Sequence, residues 1–518
     1  MPIALGAVAL ALFVPAAQAS VPLTQISSDP FTNSSSQHFT EVEPGSFAYG
    51  STIVAAVQQG RFTDGGGSGI GFATTTDAGT TWEHGSLPLT TFAGGPFFRA
   101  SDPSVAYDAK ADAWLIATAA LGATDWSVVV DRSTDGGHTW GDPITVAPAT
   151  SQTSFDKPWI TCDNTPASPY YGNCYVQWDD VGASMEVEVS ASTDSGLNWE
   201  APQTPANVTH AIGGQPLVQP DGSVIVPITD DSYQLSSFRS TDGGESWSAE
   251  TPISFAHTPP LAGGLRSGPF TSAGMNESGR IYVAWQDCRF RPHCGSGGAN
   301  DIVYSSSADG VAWSPVRRIP IAPVKSSVDA FLPALAVDRS TDGSHTHLAL
   351  TYYYYPQANC QYATCKLDVG FVSSVNGGAT WSASRQLAGA MSLSWLAATT
   401  QGPMVGDYIS TSFTSDGLAH GIFVVAKPKN AAGFHEALYT TAAGLQPAFQ
   451  CIVPKVVGRT LAGAKTALTR HNCRTGTINR IYSRTVKNGH VIAQKPHAGA
   501  VLAPGTKVNL VVSRGPRP

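Results

Sequence analysis

Charged side chains recur at one kind of position in this sequence. Glu43, Asp102, Asp156, Gln215, Arg266, Asp329 and Asp407 each open a short apolar stretch, and Arg61, Asp179, Asp287, Arg289, Tyr353 and Tyr355 fall at the ends of the stretches that follow. Carboxylates gathered with arginines and aromatic rings suit the hydroxyls and faces of sugars, and paired carboxyl groups can divide acid and base roles in glycoside hydrolysis. A ring of aspartate oxygens is also suited to Ca2+, which takes many hard ligands. Acids that open strands have a simpler use as caps for backbone N–H groups. Trp126 falls in a connection on the same side; exposed, it is a stacking platform for a sugar, and buried, a packing wedge. Histidines show no H-E-x-x-H spacing, and neither a G-x-S-x-G elbow nor a phosphate-binding loop is present. Zinc-protease, serine-hydrolase and nucleotide chemistry are therefore without support.

Such residues act together only if the fold gathers them, and a repeated turn is the element that does so. Thr75–Trp82 reads T-T-D-A-G-T-T-W, and related stretches lie at Ser133–Trp140, Ser192–Trp199, Ser240–Trp247 and Ser374–Trp381, with a shortened one at Ser307–Trp313. In each, a short carboxylate or amide bends back onto backbone N–H groups, a glycine takes a positive φ, and a Trp anchors the next strand. The Trp residues are spaced by 58, 59, 48, 66 and 68 residues, room for about four strands each. Between the turns, β-branched and alternating runs such as 113–118 and 127–130 fit strands rather than helices.

The turns number six, but the strand openings number seven, from Glu43 to Asp407. The seventh unit has strands expected at 408–413, 421–426 and 436–440, with no turn motif and no fourth strand of its own. The segment 21–26 is placed to supply it and remove an open sheet edge. The fold class expected is thus mainly β, a seven-bladed propeller, with six blades as the alternative. In that topology the strand openings and the connections after second strands share one face, and the repeated turns lie on the other.

The repeated turn resembles the Asp-box, or bacterial neuraminidase repeat, of sialidase-like propellers. That resemblance implies an Arg near the substrate before the first box and an Asp acid in the loop after it, for which Arg61 and Asp64 are the matching positions. It further implies three arginines clamping a sugar carboxylate and a Tyr nucleophile. Arg61, Arg266 and Arg289 are the candidates for the clamp, Tyr408 for the nucleophile, and Asp64 or Asp102 for the acid, with Trp126, Asp156, Asp329 and Asp407 completing the binding surface. The sequence departs from the family where Glu41-Val-Glu43-Pro stands in place of its first Arg, and no Glu is assignable as the activator of Tyr408. Two functions follow: a glycan-binding propeller without the full catalytic set, or an exo-acting glycosidase of the sialidase type. Neither requires a cofactor, and Ca2+ in the channel is an additional expectation.

From Cys451 the sequence changes character. V-P-K-V-V-G-R-T-L-A-G-A-K-T-A-L and the later G-T-K-V-N-L-V-V-S-R-G-P resemble a PASTA domain, which implies peptidoglycan or a related wall polymer as partner. Leu461, Ala464 and Leu468 form a helical stripe, and Val508, Leu510 and Val512 alternate as a strand. Residues 451–518 carry 12 of the 30 lysines and arginines and no acid, so the other 18 share the rest of the chain with all 38 acids, a net charge of −20. Nucleic acid is a poor partner for such a body. The domains expected are a signal peptide at 1–19, the propeller at 20–441, a linker at 442–450 and the PASTA-like module at 451–518.

The signal reading rests on an apolar run ending Ala17-Gln18-Ala19, although no basic residue precedes it; a membrane anchor is the alternative. No other run is long enough to span a bilayer. Eight cysteines fall as neighbours, Cys162 with Cys174, Cys288 with Cys294, Cys360 with Cys365 and Cys451 with Cys473. They read as local disulfides of an exported, wall-associated bacterial protein, with metal binding as the alternative.

Overall fold

The computed structural model describes residues 21–122, 125–151, 153–208, 210–294, 298–447, 451–471, 473–502 and 506–517. The leader expected over 1–19 and the last residues of the expected linker lie outside these. Strands follow one another as antiparallel neighbours, as short turns between apolar runs require. The first sheet comprises Glu41–Tyr49, Thr52–Arg61, Gly67–Thr75 and Glu83–Ser86, and the second Arg99–Asp108, Ala113–Leu121, Trp126–Ser133 and Ile144–Ala147. One pairing, Gly67 with Ala100, links these two into a single ladder. Later sheets are led by Phe155–Cys162, by Ala211–Ile212 with Leu217–Val218, by Ser272–Met275 and by Asp329–Val337. The last is led by Ser410–Phe413, continues through Ala419–Ala426 and Glu436–Thr441, and ends on Leu23–Gln25 from the start of the chain.

Each leading strand packs against the leading strand of the next sheet, and Ser410–Phe413 packs back against Glu41–Tyr49. Apolar residues fill the wedges between neighbouring sheets. Ile70, Leu89, Trp114 and Ile116 lie between the first two, and Val130, Ile160, Val176 and Trp178 between the next pair. The wedge that joins the end to the beginning contains Phe371, Phe423 and Leu438 together with Ala55, Val57 and Ala73. A fully buried aromatic side chain contributes several kcal/mol, so these wedges carry most of the stability.

The repeated turns have the expected local chemistry and a second use. In Ser133–Trp140 the Asp135 carboxylate accepts from the N–H groups of His138 and Thr139, and Ser133 Oγ accepts from Gly137 N. The glycine then touches the preceding sheet: Gly137 lies on Val54 and Thr74, Gly196 on Leu115, Gly310 on Ile225 and Gly378 on Tyr304. Thr74 Oγ1 and Tyr304 Oη donate to the carbonyls of Gly137 and Gly378. In the first turn Gly79 lies on His420 of the last sheet. A Cβ at Gly137 would approach Val54 Cγ2 to 2.8 Å, and its φ is 87°, so both space and conformation demand glycine. The turn therefore fastens one sheet to the next as well as folding its own hairpin.

The C-terminal module has its own core. The helix Leu461–Arg470 is capped by Thr460, whose Oγ1 accepts from Gly463 N, and it buries Ala464, Ala467 and Leu468 against Val491, Val508, Leu510 and Val512. Lys507–Ser513 runs parallel to Arg474–Ile481 and antiparallel to Val491–Lys495. The cysteines pair as Cys162–Cys174, Cys288–Cys294, Cys360–Cys365 and Cys451–Cys473, so the metal alternative does not apply to them. Among the described residues no helix is long and apolar enough to cross a membrane.

Candidate functional site

A proline interrupts the beginning of several leading strands, and the residue before it turns inward. Glu43, Asp102, Lys157 and Leu332 each precede a proline, and each has φ between 47° and 58°. Proline has no N–H for the ladder, and the pairing register shifts there: between Val42 and Gly45, Ser101 and Ser104, Asp156 and Trp159, and Phe331 and Pro333. A left-handed backbone at a non-glycine residue costs on the order of 1–2 kcal/mol, so surrounding contacts must hold it.

At Glu43, Asp102 and Lys157 those contacts are ionic. The Lys157 ammonium, 5% exposed, lies 2.7 Å from Asp102 Oδ1, 2.9 Å from Asp407 Oδ2 and 3.5 Å from Glu43 Oε1. Arg266 grips Asp407 with two nitrogens, Nε at 2.8 Å and Nη2 on the other oxygen. Ser101 Oγ donates to Asp102 Oδ2 at 2.6 Å. Gly406 lets the last sheet pass close by, since a Cβ there would lie 2.8 Å from Glu43 N.

Burial and pairing divide the protons among these groups. Burial works against the charge of Lys157, but Asp102, Asp407, Glu43 and Asp156 together outweigh it and hold its pKa well above the ordinary value. Burial likewise opposes the charges of Asp102 and Asp407, yet Lys157, with Arg266 at Asp407, holds both below the usual carboxylate range. Glu43 receives less help: burial and then Asp102 push it up to about 8. Asp156 rises to about 6, mainly through burial and then Asp102, and burial with Asp156 drives Asp179 well above its ordinary value. At neutral pH Asp102 and Asp407 are charged against Lys157 and Arg266, Asp156 is largely ionised beside them, and Glu43 retains its proton. The expected acidic ring is neutralised in part from within.

Sequence reasoning passed over the central residue. It took Asp156 as the opening residue of its strand, whereas the register shift gives that inward place to its neighbour Lys157. The signal was the proline, since Lys157-Pro158 repeats the step seen in Glu43-Pro44 and Asp102-Pro103.

Beside this cluster opens a cavity of about 230 Å³ whose lining includes Glu43, Arg61, Asp64, Asp102, Trp126, Asp156, Lys157 and Arg266. Arg61 is buried and its Nη1 donates to Gln58 Oε1 and to the carbonyl of Gly66. Asp64 is exposed at the rim and pairs with Arg99 at 2.9 Å. Trp126, expected in a connection, is the first residue of the strand Trp126–Ser133, half-buried over Gly66.

The other candidates lie elsewhere. Arg289 pairs with Asp287 at 2.7 Å and does not line the cavity. Asp329 caps Asn300, accepting from its backbone N and Nδ2 at 2.7 and 3.0 Å, and burial raises its pKa to about 6. Tyr408 is buried edge-on to Trp159, and its hydroxyl donates to the carbonyl of Pro103 at 3.2 Å. Burial, followed by the charges of Asp102 and Glu43, holds that phenol well above its ordinary pKa. Three or more His, Cys, Asp or Glu side chains placed to hold a metal ion are not found together among the described residues. Between Asp102 and Asp407 the positive charge is the ammonium of Lys157.

Asp-box sheets packed in succession around a charged cavity define the sialidase-like class of β proteins, here followed by a small α+β module. The chain belongs to the BNR repeat-like domain family, whose pattern matches residues 51–267 and, overlapping, 122–337, together more than half of the sequence. A PASTA domain matches residues 452–514. Over 64 residues the chain is 34% identical to a Clostridium acetobutylicum protein described as "Probable serine/threonine-protein kinase", covering 12% of this chain and 10% of that protein. The chain thus spans only a small part of that relative. Among solved structures, the Hadza microbial sialidase Hz136 is similar at 14% identity and a TM-score of 0.41 over 76% of each chain. A protein of unknown function from Dyadobacter fermentans gives 14% and 0.45 over 69% of this chain and all of that one. Trypanosoma rangeli sialidase in complex with DANA gives 14% and 0.42 over 69% and 59%.

Proposed function

We propose that this is a secreted, wall-associated glycan-binding protein. A seven-bladed propeller holds a sugar in the cavity beside Lys157, and the PASTA module holds peptidoglycan. Seven blades are supported by the circuit of packed leading strands and by Gly79 resting on the last sheet. Export and wall attachment are supported by the four disulfides and the PASTA match.

The observation that carries binding over catalysis is the pairing of the charged groups. Asp102 and Asp407 are already engaged by Lys157 and Arg266, Arg289 is engaged by Asp287, and Tyr408 donates to a backbone carbonyl. A nucleophile and a three-arginine clamp would have to be released from these partners. What remains open to a ligand is the rim: Trp126 as a stacking surface and the exposed Asp64, whose pairing with Arg99 lies in solvent, while Arg61 lines the cavity from within. The test is a glycan array together with a panel of fluorogenic glycosides, sialosides included, applied to the mature chain and to Trp126→Ala. Retention of a glycan family that the variant loses, with no turnover, is the expected result. Hydrolysis abolished by Tyr408→Phe would instead establish the glycosidase reading. Removal of residues 451–518 is expected to end co-sedimentation with purified peptidoglycan.

A further inference from the structure

The leading strands run from the Lys157 cluster to a second, wider cavity of about 460 Å³ at their far ends. Tyr49, Trp159, Glu277, Arg339 and the serines 46, 410 and 412 are among its lining residues. Arg339 follows Asp338, whose carboxylate caps the turn at Ser340 N and so fixes where the next side chain begins. Its guanidinium differs from the other cations of the two cavities. Lys157 and Arg266 are ion-paired and Arg61 is hydrogen-bonded, whereas Arg339 has no ion pair or side-chain hydrogen bond among the described residues. The residue is exposed where it lines the cavity, and the nearby wall lowers its pKa from the ordinary value against the electrostatic effect of Asp163 and Tyr49. An arginine held in a recess with its planar donors unused is a ready partner for a carboxylate or another oxyanion.

Charge alone would not recruit such an ion, because the body of the protein is strongly acidic and repels free anions. An occupant must bring further contacts, and the lining offers two kinds. Tyr49 is 43% exposed, with one face of its ring against Tyr107 at 4.3 Å, and the Ser46, Ser410 and Ser412 hydroxyls form a hydrogen-bonded seam that can exchange partners with a polyol. The volume falls within the roughly 300–1,000 Å³ typical of small-molecule sites.

We propose that this far mouth is a second binding site, for a single acidic sugar of the hexuronate class, with its carboxylate on Arg339 and its ring against Tyr49. It is independent of the cavity beside Lys157. The test is titration of the full mature chain with glucuronate, glucuronamide and inorganic phosphate, followed by calorimetry or ligand-observed NMR. Glucuronate is expected to bind saturably and glucuronamide at least about tenfold more weakly, the loss expected for a charge-assisted hydrogen-bond pair. Arg339→Gln is expected to lose the same factor with its melting temperature unchanged, Arg339→Lys to retain part of the affinity, and Trp126→Ala to bind as the parent does. Equal binding of acid and amide by the unaltered protein overturns the proposal without need of a variant. So does an absence of binding, a glucuronate affinity that follows Trp126 rather than Arg339, or phosphate that binds at Arg339 as tightly as the sugar.

Discussion

Replacing Lys157 by methionine removes one charge from the centre of the molecule and leaves a side chain of similar length. Asp102 and Asp407 lose an ammonium at 2.7 and 2.9 Å, and Glu43 one at 3.5 Å, all in buried surroundings. Removing one partner of a buried ion pair costs about 3–5 kcal/mol, because the charges left behind remain desolvated. At about 2.1 cal/mol/K of unfolding entropy per residue, the roughly 420 residues of the sheet assembly lose on the order of 3–6 °C in Tm. The pH dependence separates this from a simple packing defect. Without Lys157 the Asp102 and Asp407 carboxyls, now below the usual range, must rise, so the folded variant takes up protons that the parent does not. Its deficit should be small near pH 4 and widen toward pH 8. Scanning calorimetry of both proteins across that range measures it. A deficit that does not change with pH, or none at all, would refute the electrostatic account; partial recovery in Lys157→Met with Asp102→Asn would support it.

Other predictions rest on separate features. Burial raises the carboxyls of Glu41 to about 7, Glu43 to about 8, and Asp156, Asp329 and Asp368 to about 6. The folded chain therefore holds more protons than the unfolded one between about pH 4 and 8, and stability should fall as pH rises through that window; a Tm that climbs from pH 5 to pH 8 contradicts this. Changing Cys451 and Cys473 to serine opens a loop of 22 residues in a small domain. The cost is about 3 kcal/mol, roughly 12–24 °C for a domain of that size. Calorimetry should show it in the transition of the C-terminal module while the transition of the sheets stays in place.

The repeats were legible because their chemistry is local. A Ser or Thr, an Asp, a glycine and a Trp within eight residues specify a turn wherever they occur, and the alternating runs between them specify strands. Even the closing strand at Leu23–Gln25 could be placed, since a sheet lacking its fourth member needs one from somewhere. The charged centre was less legible because register decides it. In Asp156-Lys157-Pro158 the acid and the base are adjacent, and only the shift between Asp156 and Trp159 determines which faces inward. The pairing of Arg266 with Asp407 joins residues 141 positions apart, and that of Tyr408 with Pro103 spans 305. Such contacts depend on how whole sheets stack, which no local pattern records. The double use of the glycine turns was hidden for the same reason, because the surface that Gly137 touches belongs to the sheet before its own.

The pairing of Leu23–Gln25 with Tyr439–Thr441 sets an order on events when the chain is made. A polypeptide leaving a ribosome or a membrane channel releases its N-terminal end first and residue 441 more than four hundred residues later, so the opening strand must wait unpaired through almost the whole of synthesis. Intermediate sheets can assemble on their neighbours meanwhile, but the assembly has a loose end until the final strand arrives. Completion of the last sheet thus reports that the chain has reached residue 441, and a chain that stops earlier keeps an exposed edge by which it can be told from a finished one.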